Sequence, residues 1–457
     1  MREGFLWSAS TSAFQIEGAY LENGKGLSTV DTRKVPEGIT DTKIASDHYH
    51  NYKEDIKLIK ELGLNTYRFS ISWPRIFPDL TGEVNKKGIE FYNDLINELL
   101  KNGIEPLVTI YHFDLPQVLV DKFGGWLNRE TIDYYEKYAI TLFKNFGDRV
   151  KKWISINEQL MVMYSKDFNG IRNIEGNEYL KAAYQMSYHM TLAEKKAMRI
   201  CKEIIPDAII GPSYPFQVIH PYSVNTEDII AAFDAEEILN YYLLDLCVKG
   251  EISNLNSKYL REMNIFPKME EGDKEILNSS KPDFIGVNYY FPLAAEYPKE
   301  ETNKNLPLFW QSMKFNIKNS TVLPTFEWMP HGVDPASLRL ALKKLQSRYG
   351  LPTIITENGL AYSDVLDEKN TVNDDYRIDY IKTHLQECKK AIEDGVDLMG
   401  YSPWSFLDSL SGRQGFSKRY GLVYVNRTED SLKDLRRIPK KSFYWYKDVI
   451  KTNGANL

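Results

Sequence analysis

Residues 153–158 read W-I-S-I-N-E and residues 352–359 read P-T-I-I-T-E-N-G. Each is a short β-branched run ending on a glutamate that neighbours an asparagine: Asn157 with Glu158, and Glu357 with Asn358. Runs that are apolar on both faces are what buried parallel strands look like. A barrel of parallel strands keeps its chemistry at their C-terminal ends. Two carboxylates delivered there are the minimum equipment for cleaving a glycosidic bond.

Working outward, further strand-like runs occupy residues 5–11, 66–71, 105–112, 207–214, 283–290 and 397–404. Between them lie helical patterns at 47–62, 85–102, 129–146, a long stretch ending near 205, 228–249, 335–349 and 374–395, with a last helix at 441–451. Tyr52, Ile56 and Ile59 share one helical face, and Phe91, Leu95 and Leu99 another. Strands separated mostly by helices imply parallel strands joined by crossover helices. Eight such units predict a (β/α)8 TIM barrel of the α/β class, with residues 1–457 as a single domain. An open doubly wound sheet is the rival, but it would show a glycine-rich phosphate turn after the first strand, which is absent here. Residues 297–328 are polar and carry Pro298, Pro307 and Pro324 with Trp310 and Trp328. A loop of this length predicts a rim of the cleft.

The composition excludes some functions. A net charge of −6 argues against nucleic acid, because a phosphate backbone needs a basic surface. An anionic substrate would be met by a local basic patch rather than by the overall field. Thirty tyrosines and eight tryptophans supply ring faces for a core or for sugars. Cys201, Cys247 and Cys388 are odd in number and far apart, which reads as buried thiols in a reducing compartment. The N-terminus carries no apolar signal region, and no apolar run is long enough to cross a bilayer. The expectation is a cytoplasmic protein without a membrane partner, its oligomeric state open.

Acetal hydrolysis needs one carboxyl group protonated and the other ionised, hence different surroundings for Glu158 and Glu357. Caps or surface cation ligands are the ordinary alternative for either glutamate alone; two at equivalent strand ends favour catalysis. Arg68, inside the run Y-R-F-S, is costly unless it meets an acid. Gln15, His112, Asn288, Tyr290 and Trp404 follow or end other strands. An amide, imidazole and phenol ring around an indole suits a polyhydroxylated ligand. Asp47, His48 and His50 resemble a metal cluster, but they open a helix where Asp47 reads as a cap. Neither a metal nor a cofactor is expected.

These residues sit in segments that resemble glycoside hydrolase family 1, the β-glucosidase and 6-phospho-β-glycosidase family. The matching stretches are F-L-W-S-A-S-T-S-A-F-Q-I-E-G at 5–18, D-H-Y-H-N-Y-K-E-D at 47–55 and Y-R-F-S-I-S-W-P-R-I at 67–76. They continue with Y-H-F-D-L-P at 111–116, I-N-E at 156–158, I-T-E-N-G at 355–359 and K-R-Y-G-L-V-Y-V at 418–425. The resemblance implies a barrel and a retaining mechanism, with Glu357 as nucleophile, Glu158 as acid/base, and carboxyls roughly 5 Å apart. It implies that Tyr290 and Arg68 orient the nucleophile, that Gln15, His112 and Asn157 bind sugar hydroxyls, and that Trp404 is the stacking platform. Two positions depart from the pattern: Gln159 follows Glu158 where proline is common, and Phe113 stands where tryptophan is frequent.

The segment L-D-S-L-S-G-R-Q-G-F-S-K-R-Y at 407–420 addresses which sugar. Relatives acting on free glucosides usually read N-F-E-W where this chain has S-L-S-G at 409–412. A carboxylate there would repel a phosphate dianion, whereas a hydroxyl donates to it. Ser411, Lys418 and Tyr420 thus resemble the phosphate site of 6-phospho-β-glycosidases, with Arg413 as a further source of charge. The expected activity is retaining hydrolysis of a 6-phospho-β-glycoside, a small-molecule substrate, 6-phospho-β-glucoside first. The alternatives are a β-glucosidase or β-galactosidase for unphosphorylated sugars, and a catalytically silent sugar-phosphate sensor. Gly412 leaves room beside the 4-position, so an axial hydroxyl stays open.

Overall fold

The computed structural model describes residues 1–297, 308–319, 323–412 and 414–457. Eight strands form one sheet: β1 Leu6–Trp7, β2 Thr66–Ser70, β3 Glu105–Tyr111, β4 Lys152–Asn157, β5 Ile209–Pro215, β6 Ile285–Asn288, β7 Thr353–Asn358 and β8 Leu398–Pro403. All pairings are parallel, and each strand lies beside its neighbours in the chain, with β1 meeting β8. The ring closes through Ser10, which bridges both Arg68 and Trp404. Ser10 donates its amide to Pro403 on one side (3.0 Å), and Thr11 donates to Arg68 on the other (3.0 Å). The first strand is therefore shorter than the expected 5–11. At the closure the chain serves two staggered neighbours at once, and regular ladder pairing survives for only two residues.

The crossover helices are α1 His48–Leu62, α2 Lys86–Lys101, α3 Glu130–Phe146, α4 Gly176–Ile204, α5 Thr226–Glu236, α6 Tyr242–Lys249, α7 Pro335–Tyr349 and α8 Asp375–Glu393, with α9 Lys441–Lys451 last. The expected helix over 228–249 is split by a π turn, Glu237–Tyr241. After β4 the chain makes two short helices, Met161–Tyr164 and Lys166–Asn169. It then turns at Gly170 in the left-handed region, φ 74°, before α4 begins. Burial explains why the strands read as continuous apolar runs. Leu6, Leu107, Ile154, Phe284 and Ile354 form a small cluster of their own, while Trp153, Val108, Ile210, Ile285 and Ile355 belong to the large core shared with the helices.

A three-stranded sheet of Ile219–Pro221, Leu293–Glu296 and Asn316–Lys318 lies outside the barrel and carries part of the expected rim at 297–328. Pro298 and Pro307 lie outside the described residues. At the N-terminus of α1 the expected cap is not made by the Asp47 side chain. Its carboxylate instead pairs with His50 Nδ1 (2.6 Å) and accepts from Asn51 Nδ2 (2.9 Å), while His48 Nδ1 lies 2.7 Å from Asp55. Cys201, Cys247 and Cys388 are free and buried. No helix among the described residues is long and apolar enough to cross a membrane.

Candidate active site

Register shifts occur where the chemistry sits. Against β5, β4 slips between Ile154 and Asn157; against β6 and β8, β7 slips after Ile355. Such irregularities re-aim side chains at a strand end. Glu158 itself adopts a left-handed backbone, φ 45°, a conformation that a non-glycine residue holds only where its surroundings enforce it. Its amide donates to the Ser213 carbonyl (2.7 Å). Gly359 is needed for another reason: a Cβ there would lie 1.9 Å from the Trp404 carbonyl oxygen, so only glycine lets β7 leave beside Trp404.

The predicted residues meet in one buried network. Arg68 Nη1 donates to Glu357 Oε1 (2.7 Å) and to the Thr356 carbonyl (3.0 Å). Its Nη2 donates to Asn157 Oδ1 (2.5 Å) and its Nε to Thr109 Oγ1 (3.2 Å), so every arm of the guanidinium has a fixed partner. Tyr290 OH donates to the other carboxylate oxygen, Glu357 Oε2 (2.6 Å). Asn288 Nδ2 donates to Glu158 Oε1 (2.9 Å), and its Oδ1 is held by Thr356 Oγ1 (2.7 Å) and Ser213 Oγ (3.0 Å). Asn157 Nδ2 lies 3.1 Å from His112 Nε2. Trp404 stacks beside His112, with ring centres 5.9 Å apart and planes 26° apart. Gln15 is fixed by Ser12 Oγ (2.6 Å) and donates to the Leu410 carbonyl (2.7 Å), tying the first strand to the loop that carries Ser411.

The electrostatics separate the two carboxyls. Burial, reinforced by the charge of Glu357, pushes Glu158 up to about 8, against the weaker opposing pull of Asn288 and Arg68. Glu357 has its two oxygens on a guanidinium and a phenol, both donors to the ionised form. Tyr290 is held well above its ordinary range by burial and the Glu357 charge, so it keeps its proton to donate. Burial and the Arg68 charge lower His112 well below the usual imidazole value, leaving a neutral ring. The two carboxyls thus stand in different surroundings, one raised by burial and the other held by two donors.

The loop after β8 brings Lys418 and Tyr420 together. The Lys418 ammonium lies 5.5 Å from the Tyr420 ring centre and 5.6 Å from that of Trp328, at the end of the expected rim. Burial lowers its pKa. Tyr420 packs edge-on against Tyr290 at 6.2 Å, and burial together with Glu357 and Glu158 raises its pKa. Ser411 closes the neck of the same loop by exchanging backbone hydrogen bonds with Gly415 (2.9 and 3.2 Å), and its hydroxyl donates to Gln414 Oε1 (3.0 Å). Arg413 lies outside the described residues. Of the two departures, Gln159 is buried and donates to Thr191 Oγ1 of α4 (2.9 Å), and Phe113 stacks on Phe168 at 4.5 Å. Sequence reasoning missed the clamp of Thr109, Ser213 and Thr356. Thr356 stands next to Glu357 in the chain and was findable, whereas the other two carry no local signal.

The sequence pattern described as glycosyl hydrolase family 1 matches residues 1–455. The aryl-phospho-beta-D-glucosidase BglC of Bacillus subtilis is 44% identical, over 99% of this chain and 98% of that protein. Beta-glucosidase A of Acetivibrio thermocellus is 40% identical, over 98% of each. The solved family 1 b-glucosidase from Thermotoga maritima superposes with a TM-score of 0.89 at 37% identity, covering 99% of this chain and 98% of that one. A whole-chain match, the barrel and the paired strand-end glutamates agree: the chain belongs to glycosyl hydrolase family 1.

Proposed function

We propose that the protein hydrolyses 6-phospho-β-glucosides with retention, through Glu357 as nucleophile and Glu158 as acid and then base. Glu158 gives its proton to the glycosidic oxygen while Glu357 attacks the anomeric carbon, and the aglycone leaves as an alcohol. Arg68 and Tyr290 hold the two oxygens of Glu357 and aim it. Once Glu357 is esterified its charge is gone, and with it one of the two causes that raise Glu158. Glu158 is then a better base and takes a proton from the water that releases the 6-phosphosugar. Both groups return to their starting states. Asn157, Asn288, His112 and Gln15 hold hydroxyls, and Trp404 supplies the apolar face.

The observation that carries the phosphate reading is Lys418. Among the described residues no carboxylate lies within 4.0 Å of its ammonium, although it is held against two rings beside the glutamates. A partly desolvated cation left without an acid is set for an anion brought by the substrate. Ser411 supports this, being a donor at a position where a carboxylate would repel a phosphate. The similarity to an enzyme named for aryl-phospho-glucosides points the same way. Phosphorylated sugars are retained inside cells, and three buried free thiols suit the cytoplasm.

The test is a parallel assay of p-nitrophenyl β-glucoside 6-phosphate and p-nitrophenyl β-glucoside. The phosphorylated substrate is expected to have the higher kcat/KM by about 100-fold or more. Equal or better turnover of the free glucoside makes this a β-glucosidase, as the similarity to the Thermotoga and Acetivibrio enzymes would then imply.

A further inference from the structure

We propose that Arg33 is a second cation for the substrate's phosphate, set beside the loop that holds Ser411; this rests on the phospho-sugar reading above. A Cβ on Gly412, the residue after Ser411, would lie 3.6 Å from Arg33 Nη1 and 3.6 Å from Phe168 Cζ. The guanidinium therefore abuts the loop directly beside Ser411, in space that a longer side chain at 412 would occupy. Arg33 is only 8% exposed.

Its placement is built. Arg33 ends the short helix Thr29–Thr32, whose N-terminus is closed by a reciprocal capping box between Ser28 and Asp31. Lys25 braces Asp31 at 2.8 Å. Thr29 Oγ1 donates to the carbonyls of Phe113 (3.2 Å) and Phe168 (3.3 Å), pinning the helix to the segment that follows His112. Arg33 is thus carried on a framework fastened to the sugar pocket's wall.

Charge balance supplies the reason. Arg68 is committed to Glu357, which leaves the phosphate to be met from the loop side. A phosphate ester approaches two negative charges at neutral pH. Lys418 alone offers one positive charge, and burial weakens its hold on the proton. A guanidinium keeps its charge at every working pH, and its planar fork matches phosphate oxygens.

The experiment compares wild type, Arg33→Gln and Arg33→Lys on p-nitrophenyl β-glucoside 6-phosphate and on p-nitrophenyl β-glucoside, reading kcat and KM separately, with thermal midpoints as the folding control. Loss of one charge-assisted contact is expected to raise KM for the phosphorylated substrate roughly 10- to 100-fold in Arg33→Gln, with kcat little changed. The selectivity ratio should fall by the same factor, and Arg33→Lys should recover part of it. Equal losses on both substrates would make Arg33 a ring-hydroxyl or structural residue and overturn the proposal, as would an unchanged ratio in Arg33→Gln. Should Arg33→Gln not fold, Arg33→Lys decides alone, since a ratio identical to wild type after loss of the fork rejects a bidentate phosphate contact. A wild type that does not prefer the phosphorylated substrate sinks the phospho-sugar reading itself. A wild type that does prefer it, with no effect of Arg33, sinks only this assignment.

Discussion

The strand-end pocket and the loop after β8 both bury charge, and they treat it differently. In the loop the buried Asp408 is answered several times over. Asp408 accepts from Arg419 Nη1 (2.7 Å), Lys440 Nζ (2.6 Å) and the Gly421 amide (3.0 Å). Lys440 also pairs with Asp364, which Arg377 Nη2 holds at 2.9 Å. In the pocket Arg68 answers Glu357, but Glu158 has one amide donor and a neighbouring carboxylate. The balanced region reads as structure, and the unbalanced one as stored reactivity. Lys418 stands where the two meet: it belongs to the loop, yet among the described residues no carboxylate lies within 4.0 Å of it.

The sharpest way to break this contrast is Glu357→Gln. The amide keeps the shape, so the fold should stand, while turnover of either substrate falls by at least roughly a thousand-fold because the attacking oxygen is lost. Activity within tenfold of wild type would move the nucleophile elsewhere. Next in size is Lys440→Met, which leaves Asp364 and Asp408 short of a shared partner in a fully buried place. Breaking such a network is expected to lower stability by about 3–5 kcal/mol in denaturant titrations. A loss under about 1 kcal/mol would mean that Arg377 and Arg419 suffice, and that the loop is less dependent on balance than its geometry implies.

Lys418→Met should behave unlike either. Because no carboxylate among the described residues pairs with this ammonium, stability should change little, within about 0.5 kcal/mol. The kcat/KM for the phosphorylated substrate should drop roughly 10- to 100-fold while that for the free glucoside holds. A large loss of stability with no change in selectivity would assign Lys418 to the loop's framework instead.

The same contrast explains what the sequence makes legible. Strand ends are local: W-I-S-I-N-E and P-T-I-I-T-E-N-G carry apolar period, length and terminal carboxylate within a few residues, so barrel and glutamates could be read together. Arg68 could be read because an arginine in an apolar run demands an acid. The loop's anchors are not local. Asp408 meets Lys440 across 32 positions, and Thr29 reaches Phe168 across 139. No periodicity encodes such pairings, which is why Arg33, Ser213 and Thr109 gave no signal. The cap assigned to Asp47 failed for a related reason: a carboxylate with a histidine three residues on and an asparagine four on has competing partners.

The last prediction concerns the unbalanced group itself. Glu158 is raised to about 8, far above the roughly 4.3 of an unfolded glutamate. Between those values the folded chain binds a proton that the unfolded chain has lost, so stability declines as pH climbs from about 4.5 to 8. Glu158→Gln cannot titrate. Its advantage over wild type should be slight near pH 5, grow through neutrality and level off above pH 8. Thermal midpoints of both proteins at pH 5 and pH 8.5 measure it. A gain independent of pH would mean that Glu158 is already ionised at neutrality and cannot serve as the acid. A gain that rises with pH would show the enzyme giving up stability to keep a proton ready for the leaving group.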